Sequence, residues 1–150
     1  MVILQKMTDD NFQMWNSNIW AAYKSELMQS GVSEADADKD IERNLKETMP
    51  DGKPTPNQFF FDVMQDLIHV GSVWLSTEKG EWYIYDIEVK PEFRGQGLGR
   101  KTMQAIETYV RSSGGSKIGL AVFGFNDVAR KLYLSEGYEI TRLFMEKKLI

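Results

Sequence analysis

The sequence contains no cysteine and only one histidine among its 150 residues. The absence of cysteine excludes a disulfide framework, a thiolate metal site and a mechanism with a cysteine nucleophile. No apolar run approaches the roughly 18 residues that a membrane span needs. Residues 1–10 also lack the charged and apolar segments of a signal peptide. These absences predict a cytoplasmic protein without a membrane partner.

An excess of basic residues is also missing. Eighteen Lys and Arg residues stand against 22 Asp and Glu residues, a net charge of -4, whereas a general nucleic-acid binder is normally basic because it neutralises phosphates. The composition, with 42% apolar and 12% aromatic residues, is typical of a soluble globular domain. A chain of this length buries about 68 to 70% of its unfolded surface. We therefore expect one domain over residues 1–150 and no nucleic-acid partner.

The spacing of apolar and capping residues divides the chain into strands and helices. A short apolar run at 2–4 predicts a strand. Thr8, Asp9 and Asp10 are capping residues for a helix that ends at Gly31, and Ser33 is the N-cap of a second helix that ends at Pro50. The later predicted elements are strands at 58–63, 67–76 and 81–89, a helix containing 103–110, a strand at 117–123, a helix at 126–137, and one or two closing strands over 138–149. This order predicts an α/β sandwich around a mixed sheet, antiparallel at first and parallel where a helix crosses between strands.

Three glycines at alternate positions, Gly95, Gly97 and Gly99, lie between a predicted strand and a predicted helix. Free backbone N–H groups and the positive end of the helix dipole favour a phosphate at such a place. Arg94 and Arg100 add charge-assisted contacts. The pattern predicts a pyrophosphate site, although glycines of this kind also make a simple tight turn.

Two common phosphate-binding motifs do not match this loop. The Rossmann fingerprint Gly-x-Gly-x-x-Gly has Arg100 or Thr102 at its third glycine, depending on the register. The P-loop motif Gly-x-x-x-x-Gly-Lys-Ser/Thr matches at Gly95, Lys101 and Thr102 but has Arg100 at its second glycine. A nucleotide-phosphate site based on Lys101 and Thr102 is therefore an alternative interpretation.

The loop resembles the cofactor motif of the GNAT N-acetyltransferase superfamily, Gln/Arg-x-x-Gly-x-Gly/Ala after a strand. Residues 94–99, Arg-Gly-Gln-Gly-Leu-Gly, match it without a mismatch and follow Val-Lys-Pro-Glu-Phe at 89–93, a run frequent in the family. Residues 126–133, followed by Gly137 and Tyr138, resemble the family's second motif, an Asn-x-x-Ala-x-x-x-Tyr helix before Gly-Phe/Tyr. The resemblance covers roughly residues 81–149. It implies a three-layer sandwich with a central mixed sheet of about six to seven strands flanked by about four helices.

This resemblance implies that the cofactor is acetyl-coenzyme A (acetyl-CoA) and that no metal is needed. The pyrophosphate would lie on the amides of the glycine loop, and the pantetheine arm would run beside the main chain of Ile87 and Val89. The Val89 N–H would then polarise the thioester carbonyl. The implied cofactor-binding residues are Ile87, Val89, Arg94, Gly95, Gln96, Gly97, Leu98, Gly99, Arg100, Asn126 and Tyr133.

The implied activity is N-acetyltransfer, in which a primary amine of a small molecule or peptide attacks the thioester directly in a ternary complex. Tyr133 is implied as the acid that protonates the departing thiolate. Asn126 and Tyr133 lie seven residues apart, which places them on one face of the predicted helix. By itself a tyrosine here is more typical of the core, and Asn126 is also a plain helix N-cap, with or without a contact to pantetheine.

The sequence does not specify the general base. Glu81, Asp86 and Glu88 lie on or beside the strand predicted at 81–89, and we favour Glu88. A solvated strand carboxylate or a chain of waters is the alternative for this role. Strand alternation places Asp86 and Glu88 on the face opposite that of Tyr85, Ile87 and Val89.

The amine acceptor is also left open. Trp15, Trp20 and Tyr23 either line an acceptor pocket or belong to the core, and His69 is more typical of a strand residue than of a base. The net charge is too small to select cationic amines. A non-catalytic domain of the same fold that senses coenzyme A is the second hypothesis. The sequence does not specify the oligomeric state, and a homodimer is one option.

Overall fold

The computed structural model describes residues 1–150 and contains a five-stranded sheet and four α-helices. The strands lie in the order β1-β2-β3-β4-β5; β1 to β4 are antiparallel neighbours, and β5 is parallel to β4. The elements are β1 (Val2–Lys6), α1 (Asp9–Gln29), α2 (Glu34–Thr48), β2 (Gln58–Gln65), β3 (Ile68–Glu78), β4 (Glu81–Val89), α3 (Leu98–Ser112), β5 (Ile118–Leu120) and α4 (Asp127–Ser135). The predicted mixed α/β class is confirmed. No helix has the combination of length and apolar character that crossing a membrane requires.

The first two helices begin where their capping residues predict. The Thr8 hydroxyl accepts a hydrogen bond from the Asn11 N–H at 3.1 Å, and the Ser33 hydroxyl accepts one from the Asp36 N–H at 3.2 Å. Each bond satisfies one of the N–H groups that the first turn of a helix leaves free. Local sequence therefore determines both starting points.

Helices cover both faces of the sheet. On one face, α3 packs Met103, Ile106 and Val110 against strand residues such as Val73 and Leu75. On the other face, α1 and α2 cover an aromatic cluster centred on Phe60 and Trp74. Trp15 of α1 lies with its ring 5.1 Å from Phe60 and 5.6 Å from Trp74, measured between centroids. The result is the predicted three-layer arrangement.

A β-bulge interrupts β4 at Tyr85. Leu75 of β3 pairs with Ile84, whereas the preceding Trp74 pairs with Asp86, so Tyr85 is the extra residue. A bulge resets the alternation of side chains along a strand. Tyr85 therefore shares the α1 face with Asp86 and stacks on Trp74 at 4.5 Å. The prediction that Tyr85 lies on the same face as Ile87 and Val89 was wrong, because alternation alone cannot reveal a bulge.

The C-terminal part of the predicted sheet is absent from the single chain. Residues 138–149 form no strand, and the strand predicted at 117–123 is limited to Ile118–Leu120. The sheet therefore has five strands rather than six to seven. The apolar pattern at 138–149 predicts a strand, but a strand also needs a neighbour for its backbone hydrogen bonds, and no strand pairs with this segment.

Candidate active site

A cleft opens where β4 and β5 separate. The two strands pair only from Trp82 with Ile118 to Ile84 with Leu120, and no pairing continues beyond that point. The cleft has a volume of about 430 Å³. Its floor is formed by residues 83–87 of β4, by Leu120 at the end of β5 and by residues 121–123, which follow β5. Asn126 and Tyr133 of the α4 region complete one wall.

The edge of β4 that faces this cleft has free backbone groups. The N–H of Lys90, the residue after β4, donates to the Val70 carbonyl at 2.8 Å and therefore points towards β3. Because successive N–H groups of a strand point in opposite directions, those of Ile87 and Val89 point away from β3. No strand lies on that side at this level. Both N–H groups therefore face open space beside β4.

The glycine loop presents a second set of free amides directly after β4. Gly95 and Gly97 have φ angles of +78° and +75°, a left-handed conformation that other residues rarely adopt. The N–H groups of residues 95–100 donate no hydrogen bond within the chain; the first that does is that of Lys101, which donates to the Gly97 carbonyl at 3.2 Å. Six consecutive amides at the N-terminus of α3 are the donor set that an anionic group needs.

The two arginines beside the loop have different surroundings. Arg94 Nε donates to the Val89 carbonyl at 2.9 Å. Arg94 directly precedes the loop residues whose amides are free. Arg100 is directed to α4, where it donates to Glu136 Oε1 at 2.8 Å and to Ser135 Oγ at 2.9 Å. Arg100 thus links α3 to the end of α4 through these hydrogen bonds. Arg94 is the better placed of the two to contact a ligand at the loop.

The two residues of the second motif both reach the cleft. The Asn126 side chain caps α4 by accepting from the Ala129 N–H at 3.2 Å, and it lines the cleft as well. Tyr133 lies on the same helix face and is largely buried. Burial, followed by the negative charge of Asp86, raises the Tyr133 pKa to about 12. The phenol therefore stays protonated at neutral pH and its O–H remains a donor.

Asp86 is the carboxyl group that β4 places in the cleft. Burial is the main cause that raises its pKa to about 7, and the charges of Glu88 and Glu26 add to the effect. The nearby Trp15 indole N–H acts in the opposite direction and lowers the pKa, but it does not complete a hydrogen bond. Asp86 Oδ2 and Trp15 Nε1 are both buried without a partner. An unpaired buried carboxyl with a pKa near neutrality is typical of a general base.

Glu88 and the other candidate bases lie outside this cleft. The Glu88 side chain is 49% exposed, lies 3.8 Å from Arg94 Nη2 and lines a separate cleft beside α1. Glu81 is exposed at the start of β4. The His69 Nε2 atom lies 3.2 Å from Asp62 Oδ1 in that separate cleft. Asp86 therefore lines the first cleft and Glu88 lines the separate one, although both face α1.

The wall opposite β4 contains residues that sequence reasoning did not single out. Glu26 of α1 and Asp40 and Arg43 of α2 line the cleft beside the predicted Trp20 and Tyr23. The Tyr23 hydroxyl donates to Asp40 Oδ1 at 2.9 Å and so joins the two helices. Burial, followed by this hydrogen bond, raises the pKa of Tyr23 well above its usual value. No local signal identifies this wall, because packing of α2 against α1 places it there.

A sequence profile described as the Acetyltransferase (GNAT) family matches residues 15–138 of the chain. YdgE of Bacillus subtilis (strain 168), described as an uncharacterized N-acetyltransferase, is 27% identical over 152 residues, which are 97% of this chain and 97% of that protein. The crystal structure of YycN from B. subtilis is 28% identical, covers 100% of this chain and 99% of that chain, and has a TM-score of 0.92. The likeness in both comparisons extends over the whole chain.

A more distant structure shares the fold. AAC(6')-Iy in complex with the bisubstrate analog CoA-S-monomethyl-acetylneamine has a TM-score of 0.59 and 17% identity, and it covers 100% of this chain and 99% of that chain. At this level of identity the likeness extends to the arrangement of helices and strands only.

Proposed function

The chain belongs to the acetyltransferase (GNAT) family, as its two motifs predicted, and on that basis we propose that it transfers an acetyl group from acetyl-CoA to a primary amine. One observation carries this proposal. Six free amides, at residues 95–100, lie directly beyond a strand edge whose Ile87 and Val89 N–H groups are also free. These donors match a long ligand whose anionic group contacts the loop amides and whose amide-containing arm runs along the edge of β4.

The residues present fit acetyl-CoA along its length. The loop amides and Arg94 would hold the diphosphate, since a helix N-terminus and a guanidinium both favour anions. Ile87 and Val89 would bond the pantetheine arm as a neighbouring strand does, and Asn126 would contact it from α4. When bound, acetyl-CoA supplies a thioester that a neutral amine attacks directly.

Asp86, Tyr133 and Val89 then perform three separate tasks. Asp86 takes the proton of the incoming ammonium, because its raised pKa of about 7 lets it accept a proton at neutral pH. The Val89 N–H donates to the carbonyl oxygen of the acetyl group. The Tyr133 O–H would give its proton to the departing sulfur, and the proton that the attacking nitrogen loses as the amide forms would restore the phenol. We propose Asp86 rather than Glu88 as the base, because only Asp86 lines this cleft.

The opposite wall supports an amine that carries further positive charge. Glu26 supplies a carboxyl group, and Trp20 and Tyr23 supply aromatic faces, which attract ammonium groups; Asp40 is already paired with Arg43 at 3.3 Å. The aminoglycoside derivative bound by AAC(6')-Iy is consistent with such an acceptor in this fold. We therefore propose polycationic amines, of small molecules or of peptides, as the first acceptors to test.

An amine panel tests the proposed function. We expect acetyl-CoA at about 100 times its Kd to raise Tm by about 5–10 °C, and we expect thiol release with at least one cationic amine. Because the chain has no cysteine, a thiol-reactive dye records the released coenzyme A without background from the protein. Mass spectrometry of the acceptor then identifies the acetylated product.

The fully N-acylated form of each amine is the control and should release no thiol. A Tm shift with acetyl-CoA but no thiol release with any amine would instead support a non-catalytic domain that senses coenzyme A. Protection by ATP with magnesium, and none by coenzyme A, would support a nucleotide-phosphate site.

Substitution of Asp86 by asparagine tests the general base. We expect the activity of the native chain to increase as pH rises through about 7. We expect Asp86→Asn to lose this increase and its kcat/KM to fall about 100-fold or more. The same substitution changes stability in a predictable direction. Because the folded pKa of Asp86 is raised above that of the unfolded chain, the native protein loses stability as pH rises from about 4 to about 7. The Tm of Asp86→Asn relative to the native chain should therefore increase between pH 4 and pH 8.

Glu88→Gln is the matched variant, since it removes a carboxylate from the same face of the same strand. It should retain the pH profile with a small shift to lower pH, because its charge helps to raise the Asp86 pKa. If Glu88→Gln removes the pH dependence and Asp86→Asn keeps it, the base is Glu88.

A further inference from the structure

Two side-chain polar atoms are buried without a hydrogen-bond partner, Trp15 Nε1 and Asp86 Oδ2. One is a donor and the other an acceptor, because an indole nitrogen can only donate and an ionised carboxylate can only accept. A buried polar group without a partner is costly, and folded proteins seldom leave one. The two atoms therefore complement each other, one on α1 and one on β4.

The Trp15 indole differs in this respect from the other tryptophans that pack beside it. Trp20 Nε1 donates to Asn16 Oδ1 at 2.9 Å, and Trp74 Nε1 donates to Gln58 Oε1 at 2.8 Å. Each of these indoles has an acceptor of its own on the same helix or on the neighbouring strand. The Trp15 N–H has none, so it stays available to Asp86.

Trp15 reaches Asp86 from the side away from the active-site cleft. Its ring packs against Phe60 and Trp74, and it lines the separate cleft beside α1 rather than the one that Asp86 lines. Of the two Asp86 carboxyl oxygens, only Oδ2 is buried without a partner. Trp15 can therefore act on Oδ2 while Oδ1 is left for a molecule in the active-site cleft.

We propose that Trp15 is the positioning residue of the base, and that its indole N–H donates to Oδ2 of the ionised Asp86 carboxylate and directs Oδ1 into the cleft. The bond closes when Asp86 loses its proton, because an ionised carboxylate is a stronger acceptor than the acid. Oδ1 then takes a proton from the incoming ammonium, which becomes the neutral amine, and later releases that proton to water. The catalytic role of Trp15 rests on the proposed function, whereas its contact with Asp86 does not.

The other groups around Asp86 do not replace this donor. The charged and titratable ones are Glu26 and Tyr23 of α1, Asp40 and Arg43 of α2, Tyr83 and Glu88 of β4, and Tyr133 of α4. The charges of Glu88 and Glu26 raise the Asp86 pKa and so oppose its ionisation. Arg43 is paired with Asp40, and no group completes a hydrogen bond to Oδ2. Trp15 is thus the neighbour whose N–H favours the ionised form.

Trp15→Phe tests the contact, because it removes the N–H and keeps an aromatic ring in the cluster. We expect the Asp86 pKa to rise by about one pH unit, since a hydrogen bond to the charged form is lost. The carbon-13 signal of the Asp86 carboxyl group, identified by its absence from Asp86→Asn, measures this pKa by titration without any need for activity. An unchanged titration midpoint overturns the proposal.

The pH profile of acetyl transfer tests the catalytic role. With the base titrating about one pH unit higher, kcat/KM of Trp15→Phe should be about 5-fold below the native value at pH 7, and the difference should narrow as pH rises to 9. A loss of the same size at every pH would show that Trp15 has a structural role only and would overturn the catalytic part of the proposal. If no amine releases thiol, the proposed function fails, and the carboxyl titration still decides the contact.

Trp82→Phe is the matched control. Trp82 is a buried tryptophan on β4, but it packs with Tyr109 of α3 on the other face of the sheet and lines neither cleft. Its variant should keep the native Asp86 midpoint, and an equal rise in both variants overturns the proposal. If Trp15→Phe does not fold, the same titration uses a tryptophan analogue at residue 15 in which sulfur replaces the indole N–H.

Discussion

Gly97→Glu is expected to abolish the rise in Tm that we predict for the native chain with coenzyme A, and with it all measurable acetyl transfer. Gly97 is the N-cap of α3, and the N–H groups on both sides of it are free for an anion. A carboxylate at this position puts a negative charge where the diphosphate would lie and competes for the same amides. The expected shift falls from about 5–10 °C to none, as measured by thermal unfolding with and without coenzyme A.

Gly114→Glu is the matched control for this experiment. Gly114 follows the other end of α3, and like Gly97 it has a positive φ, +84°, and no atom within 4 Å of an added Cβ. The backbone cost of a side chain at the two positions is therefore similar, about 1–2 kcal/mol. Gly114→Glu should lose some Tm but retain the full shift with coenzyme A. Equal ligand shifts in the two variants would show that the glycine loop does not bind the cofactor.

Tyr133→Phe is expected to reduce kcat by about 100-fold or more while leaving the Kd for coenzyme A nearly unchanged. The phenol lines the cleft, and its pKa of about 12 keeps its proton in place over the working pH range. Removal of one oxygen leaves the ring and its packing. The substitution should therefore slow the transfer step without weakening cofactor binding. Steady-state kinetics measures the first effect, and a separate binding titration measures the second.

Tyr138→Phe provides the comparison for Tyr133→Phe. The Tyr138 ring lies 6.0 Å from that of Tyr133, and burial is the main cause that raises its pKa to about 12 as well. Tyr138 does not line the cleft. Its variant should keep kcat within about twofold of the native value. If both variants are fully active, Tyr133 is not the acid and a water molecule protonates the sulfur.

The glycine loop and the second motif were visible in the sequence because each is a local feature. Left-handed glycines at a strand-to-helix junction leave their amides free whatever the rest of the chain does, and Asn126 caps α4 through a bond to Ala129, three residues away. The interpretation as an acetyltransferase rested on these two stretches, and the family match confirms it.

The position of the candidate base was not visible in the same way. Asp86 and Glu88 are two residues apart and looked equivalent, and the sequence interpretation favoured Glu88. The bulge at Tyr85 does not distinguish them, because both residues lie on the α1 side of the sheet after it. Packing against α1 then buries Asp86 and leaves Glu88 exposed.

The sequence by itself determined the class of fold, the starts of the first two helices and the glycine loop with its free amides, because short-range hydrogen bonds and residue spacing are sufficient for each. Only the tertiary structure decided which carboxyl group enters the cleft and which residues form the wall opposite β4. It also decided that residues 139–150 find no partner in their own chain. Those outcomes depend on contacts between segments distant in sequence, and no local pattern encodes where such segments meet.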